Sequence, residues 1–218
     1  MDEQALQQLA AQLRKPTGEA GIKTGEWMNR GNEAINLDTF KILNAEDGDT
    51  ILEIGMGNGF FVKEIIQKHN SIKYTGCDFS EAMIAEAEKI NTEFVTKGRA
   101  NFVLSDIASL PFADASFNKI FTINTIYFWE DAKKILSEIK RVLQPKGKFI
   151  VALRPKRQMQ HYPFIKYGFS LFSKEEVMEL LTQNGFTTIQ TIENNEPDFE
   201  QKGEVMKVQN LIIEAIKS

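Results

Sequence analysis

The sequence predicts an α/β fold: a doubly wound, seven-stranded sheet of five parallel strands that ends in a C-terminal antiparallel hairpin. Three observations predict it. Strand-like and helix-like runs alternate from Thr50 onward, which implies right-handed crossovers and a parallel sheet covered on both faces. The first strand runs into a glycine-rich turn, Gly55-Met56-Gly57-Asn58-Gly59, that opens a helix. The last two strand-like runs have no helix between them, and such strands pair most simply as an antiparallel hairpin.

The elements follow in order. Ala5, Leu6, Leu9, Ala10 and Leu13 recur at helical spacing over residues 3–14, and Lys15-Pro16-Thr17-Gly18 breaks that helix. Residues 24–44 read as a second helix, with Trp27, Met28, Ile35, Phe40 and Leu43 as its apolar set. After the Gly48-Asp49 turn, strands are predicted at Thr50–Ile54, Lys73–Cys77, Asn101–Leu104, Lys119–Ile123 and Lys148–Ala152. Helices are predicted between and after them at Phe60–His69, Ser80–Thr96, Asp131–Val142 and Ser173–Asn184. Phe186–Glu193 and Lys207–Ile216 form the final strands, joined by the polar loop Asn194–Gly203. The chain divides into a helical segment, residues 1–45, and a domain over residues 46–218.

Composition narrows the function. The chain has 218 residues, 42% of them apolar and 26% charged, which is ordinary for a globular protein. One cysteine and two histidines supply neither a disulfide framework nor a metal-ligand set. A net charge of −4 gives no general attraction to nucleic acid or to an anionic membrane. No apolar run is long enough to cross a bilayer, and the acidic, weakly apolar start does not read as a signal peptide. A cytoplasmic protein made in a reducing compartment is expected. Its oligomeric state stays open.

Three features carry chemistry. Glycines at 55, 57 and 59 allow a sharp turn and close approach of a ligand to the main chain, and free N–H groups at the following helix favour an anionic group. Phe60 stands where a dinucleotide fingerprint would place its third glycine, which argues against a nicotinamide-dependent oxidoreductase. Asp78 ends the second strand, where a carboxylate can accept both hydroxyls of a ribose. Ser80 is the better helix cap, which leaves Asp78 free for that role. Asp106, in Ser105-Asp106-Ile107 at the end of the third strand, can accept from an exocyclic adenine amine while Ile107 presents its N–H.

With these residues in place, the chain resembles the class I S-adenosylmethionine-dependent methyltransferases, in particular the ubiquinone/menaquinone-biosynthesis-type group. The resemblance rests on the E-x-G-x-G-x-G loop at 53–59, Asp78, the Asp106 segment, the L-P-F-x-D-x-S-F stretch at 110–117 and Leu143–Lys148. It spans residues 34–218. Asn118 departs from the acid usual after that stretch. The resemblance implies a Rossmann-like methyltransferase fold with S-adenosyl-L-methionine as the cofactor and no metal. It implies that Glu53 steadies the glycine loop, that Gly55, Met56, Gly57 and Gly59 wrap the methionine moiety, and that Asp78 takes the ribose beside Ser80. Phe79 and Met83 would lie against the adenine, and Ser105, Asp106 and Ile107 would read its edge. Asn124 and Thr125 would face the sulfonium. Residues 1–45 would act as a lid, with Trp27, Met28 and Asn29 nearest the methionine end.

The acceptor is less legible. Thr125–Trp129 reads either as core or lid packing or as an apolar wall around the transferring methyl, and Tyr127 and His161 are the candidate catalytic residues. Arg154, Lys156 and Arg157 would suit a small, anionic acceptor. Transfer to a small molecule is the expected activity. The alternatives are methylation of RNA or protein, and a non-catalytic module that binds the cofactor.

Overall fold

The structure is a computed structural model that describes residues 2–197, 199–201 and 204–218. Seven strands form the main sheet: β1 (Thr50–Ile54), β2 (Lys73–Asp78), β3 (Ala100–Leu104), β4 (Phe117–Ile123), β5 (Leu143–Leu153), β6 (Phe186–Asn195) and β9 (Gln209–Lys217). Their spatial order is β3-β2-β1-β4-β5-β9-β6. The first five are parallel, and β9 runs antiparallel between β5 and β6. This is the doubly wound sheet with a terminal hairpin that the alternation of elements predicts.

Near-continuous apolar strands are what a sheet buried on both faces requires. Successive side chains of β1 point to opposite faces. Ile51 belongs to the core cluster of one face, with Ile35, Phe40, Leu43 and Phe121. Leu52 belongs to the cluster of the other face, which also takes in Ile139, Val151 and Leu181. Helices α1 (Glu3–Arg14), α2 (Gly18–Gly31) and α3 (Glu33–Leu43) precede the sheet. Helix α7 (Ala132–Val142) buries Ile135, Leu136, Ile139 and Val142 at helical spacing and is capped by Asp131. A Ser173–Glu176 capping box opens α9 (Lys174–Gln183).

Four expectations need correction. The helix read over residues 24–44 is two helices that meet at Asn32. The helix read over Phe60–His69 shrinks to α4 (Val62–Ile66), because the Arg99 guanidinium takes the carbonyls of Ile66 and His69. The helix read over Ser80–Thr96 divides into α5 (Glu81–Ile90) and α6 (Thr92–Thr96). Asn91 breaks it by donating its side-chain amide to both Ala87 and Gly59 at 3.0 Å. The loop read over Asn194–Gly203 instead continues β6 to Asn195 and begins a short ribbon, β7 (Phe199–Gln201) with β8 (Glu204–Met206). The tip of that loop, residues 202 and 203, lies outside the described residues, as does residue 198. A four-residue helix, α8 (Lys156–Met159), follows β5.

Candidate functional site

The sheet places its chemistry along one edge. Past the carboxyl ends of β3, β2, β1, β4 and β5 come, in that order, Asp106, Asp78, the Gly55–Gly59 loop, Asn124 and Arg154. A cleft of about 570 Å³ lies over the first four. The N-terminal helices complete its walls through Leu13, Arg14, Met28, Asn29, Asn32 and Asn36.

The glycine loop is built for close contact. Gly55 donates to the Cys77 carbonyl at 2.7 Å and has a φ of +71°, which only glycine adopts without strain. The Gly57 N–H donates to Asp78 Oδ2 at 3.1 Å, and the Ser80 N–H donates to Asp78 Oδ1 at 2.9 Å. Ser80 does cap α5, accepting from the Met83 N–H at 3.3 Å. It does not leave Asp78 free, however, because Asp78 also braces the glycine loop. A carboxylate has about four acceptor positions, so roughly two stay open to ligand hydroxyls. Burial pushes the Asp78 carboxyl up to about 6, against the N–H groups of Ser80 and Gly57 that pull it down.

Glu53 is buried beneath the loop and accepts from the Tyr74 hydroxyl at 2.6 Å. Burial pushes its carboxyl up to about 8; the Tyr74 bond opposes this and the neighbouring Asp78 charge adds to it. Asp106 is exposed and turned inward by the Ala108 N–H, which donates to Oδ1 at 2.8 Å. Asn124 takes the left-handed conformation at φ +58°, and its amide donates to Asn32 Oδ1 at 3.3 Å. Phe128 packs edge-on against Phe169 at 4.6 Å. Trp129, 8% exposed, also lines the cleft, and its indole N–H finds no acceptor among the described residues.

Glu53, Gly55, Met56, Gly57, Gly59, Asp78, Phe79, Ser105, Asp106, Ile107, Asn124 and Thr125 all line this cleft. Other expected residues do not. Ser80 and Met83 are buried behind it, the Ser80 hydroxyl being held by the Pro16 carbonyl. Trp27 is 51% exposed on the outside of α2, so Met28 and Asn29 alone reach inward. His161 is exposed and away from the cleft. The Tyr127 hydroxyl accepts from the Arg154 N–H at 2.6 Å and lies 3.1 Å from Asn124 Oδ1; burial pushes its pKa up. Tyr127 is a buried brace, not an acid or base at the cleft. The cations expected to hold an anionic acceptor are paired internally: Arg154 with Glu196 at 2.9 Å, Lys156 with Glu176 at 3.1 Å and Arg157 with Glu193 at 2.5 Å. Asn36 also lines the cleft, and the sequence marks it only as a polar side chain on the buried stripe of α3, four residues from Asn32.

The charged lining near neutral pH consists of Asp78, Asp106, Glu130 and Asp131 against Arg14 and Lys134, with Glu53 held neutral by burial, and Arg14 pairs with Glu130. A cleft of this sign favours a cation. Its shape runs from a carboxylate pair fit for a nucleoside, across a glycine loop, to a wall of amides and aromatics. These residues fit a sulfonium nucleoside. The fold and the cleft have the form expected of a class I S-adenosylmethionine-dependent methyltransferase, and the lining fits S-adenosylmethionine as the cofactor.

Residues 52–151 match the family model described as a methyltransferase domain. The chain is 27% identical over 132 residues to the methyltransferase YdaC of Bacillus subtilis, covering 61% of this chain and 71% of that protein. It is 27% identical over 173 residues to the O-methyltransferase resE of Aspergillus sclerotiorum, covering 76% of this chain and 65% of that protein. A methyltransferase solved with the Trm112 methyltransferase activator of Haloferax volcanii shares the fold at a TM-score of 0.77 and 17% identity, covering 99% of this chain and 98% of that one.

Proposed function

We propose that this chain moves the methyl group of S-adenosylmethionine to a small organic acceptor. The observation that carries this reading is the enclosure of the cleft by the chain's own N-terminal helices, through Arg14, Met28, Asn29 and Asn32. A wall of that kind suits a small molecule better than a folded RNA or protein. The likeness to an O-methyltransferase supports the same direction.

In this reading Asp78 holds the ribose, Asp106 and Ile107 meet the adenine edge, and Glu53 with the glycine loop supports the methionine end. Residues 1–45 serve as the lid. The bound cofactor supplies an electrophilic methyl on a sulfonium. The protein need only align donor and acceptor and exclude water, and alignment of this kind is worth up to about 7–11 kcal/mol. Phe128 and Trp129 supply an apolar wall whose ring faces favour a cationic methyl.

Within the class, the motifs resemble those of the quinone-biosynthesis enzymes, so phenolic quinone precursors belong among the acceptors to be tried. The test is incubation with S-adenosylmethionine and fractionated metabolite extract, following S-adenosylhomocysteine. Acceptor-dependent formation of that product supports the reading. Tight cofactor binding with no turnover in any fraction favours the non-catalytic module, and turnover only with RNA or protein added favours a macromolecular acceptor.

A further inference from the structure

Beside the cleft lies a buried polar cluster that none of the roles above uses. Arg154, 9% exposed, follows the end of β5. Its guanidinium donates to Glu196 Oε1 at 2.9 Å and to Glu196 Oε2 at 3.2 Å. The same group donates to the Gly31 carbonyl at 2.6 Å and reaches Asn32 Oδ1 at 3.5 Å. Gly31 is the last residue of α2, and Asn32 is the joint between α2 and α3. Glu196 is fixed in turn: its N–H donates to the Val208 carbonyl at 2.8 Å, and the Asn210 amide lies 3.4 Å from its Oε1.

Stability alone is a weak reason for such a pair. Taking two charges out of water costs so much that apolar replacements are often neutral or better. What the guanidinium adds is geometry, because its planar donors form a rigid fork. Here the fork ties the hairpin to the α2–α3 joint and turns Asn32 Oδ1 toward the Asn124 amide, and both of these asparagines line the cleft.

The order of strands says which part of a ligand that pair would meet. Asp106 and Asp78 lie past β3 and β2, the glycine loop past β1 and Asn124 past β4. A ligand with its ribose at Asp78 that crosses the loop brings its other end to Asn124.

We propose that Arg154, held by Glu196, is a positioning residue that sets the Asn32–Asn124 amide pair, and that this pair holds the amino-acid end of the cofactor. The proposal rests on the cofactor reading above.

Calorimetry with two probes tests it: S-adenosylhomocysteine, and methylthioadenosine, which lacks the amino-acid end. Arg154→Met and Asn32→Ala should each weaken S-adenosylhomocysteine by about tenfold, the scale of one lost hydrogen bond, and leave methylthioadenosine within about twofold. Combining the two substitutions should cost little more than either alone, since both act through one contact. Should Arg154→Met fail to fold because Glu196 is left unpaired, Arg154→Met/Glu196→Leu leaves no orphaned charge and carries the same test. Unchanged S-adenosylhomocysteine affinity in a folded variant overturns the proposal, and so does an equal loss for both probes. If the unmodified protein binds neither probe, the cofactor reading itself fails.

Discussion

Gly55 and Thr125 are matched in shape: a Cβ on Gly55 would lie 2.4 Å from Thr125 Cγ2, at a backbone φ of +71°. Two penalties therefore meet in Gly55→Ala, a steric clash and a left-handed alanine, together on the order of 1–3 kcal/mol. Thermal unfolding should shift down by about 2–4 °C per kcal/mol for a chain of this size. Adding Thr125→Ser removes the offending methyl and should return part of the loss, leaving the backbone penalty. A double variant no more stable than Gly55→Ala would show that the clash is absorbed elsewhere.

Asp78 carries two duties, and its substitution should show both. Asp78→Asn keeps one acceptor oxygen for the N–H groups of Gly57 and Ser80, where the carboxylate serves them with two. It also gives up the charge that would meet ribose hydroxyls. Cofactor affinity should fall by about 1.5–3 kcal/mol, the range for a hydrogen bond to a charged group, and the unfolding temperature should drop as the loop loosens. Calorimetry and thermal unfolding on the same preparation separate the two. Lower stability with intact affinity would mean that Asp78 serves the loop alone.

Burial gives the cleft a pH signature. Glu53 in the folded protein holds its proton up to about pH 8, against an ordinary value of 4.5. Between those values the unfolded chain is ionised and the folded one is not, so it is the folded state that binds more protons. Stability must then fall as pH rises through this window and level off above it. Asp78, raised from 3.8 to about 6, acts in the same direction. Glu53→Gln, which can still accept from Tyr74, should flatten the decline and match the unmodified protein near pH 4.5. At pH 8 the variant should be the more stable, with the higher unfolding temperature. A cationic cofactor should favour the ionised carboxylates, so binding near pH 7 should release protons, measurable by titration in buffers of different ionisation enthalpy.

What the sequence made legible was local. The strands announce themselves as apolar runs, and the glycine loop, Asp78 and Asp106 are readable because each sits within a few residues of a strand end. What it hid was pairing across the fold. Nothing near Arg154 in the sequence announces Glu196, 42 positions away, so the sequence alone reads as a cation at the functional edge suited to an anionic acceptor. Tyr127 looked available because its hydroxyl partners, Asn124 and the Arg154 backbone, meet it only once β4 and β5 lie side by side. The double use of Asp78 was hidden likewise, since Gly57 is 21 positions upstream.

The N-terminal helix tests whether enclosure matters. Helix α1 is fastened at both ends: Glu3 accepts from the Tyr167 hydroxyl at 2.8 Å, Arg14 pairs with Glu130, and just beyond it the Pro16 carbonyl takes the Ser80 hydroxyl. Only Leu6 and Ala10 of this helix are buried, and full burial of a leucine is worth about 1.5–3 kcal/mol. Deleting residues 1–17 should therefore leave the sheet folded with a modest drop in unfolding temperature. It removes Leu13, Arg14 and Pro16 from the cleft wall, so cofactor should dissociate faster and methyl transfer should fall further than affinity does, as water enters. Stopped-flow release of a fluorescent cofactor analogue, alongside product formation, measures both. A shortened protein with unaltered release and turnover would show that α1 only packs against the domain, and the enclosure of the acceptor would then fall to Met28, Asn29 and Asn32.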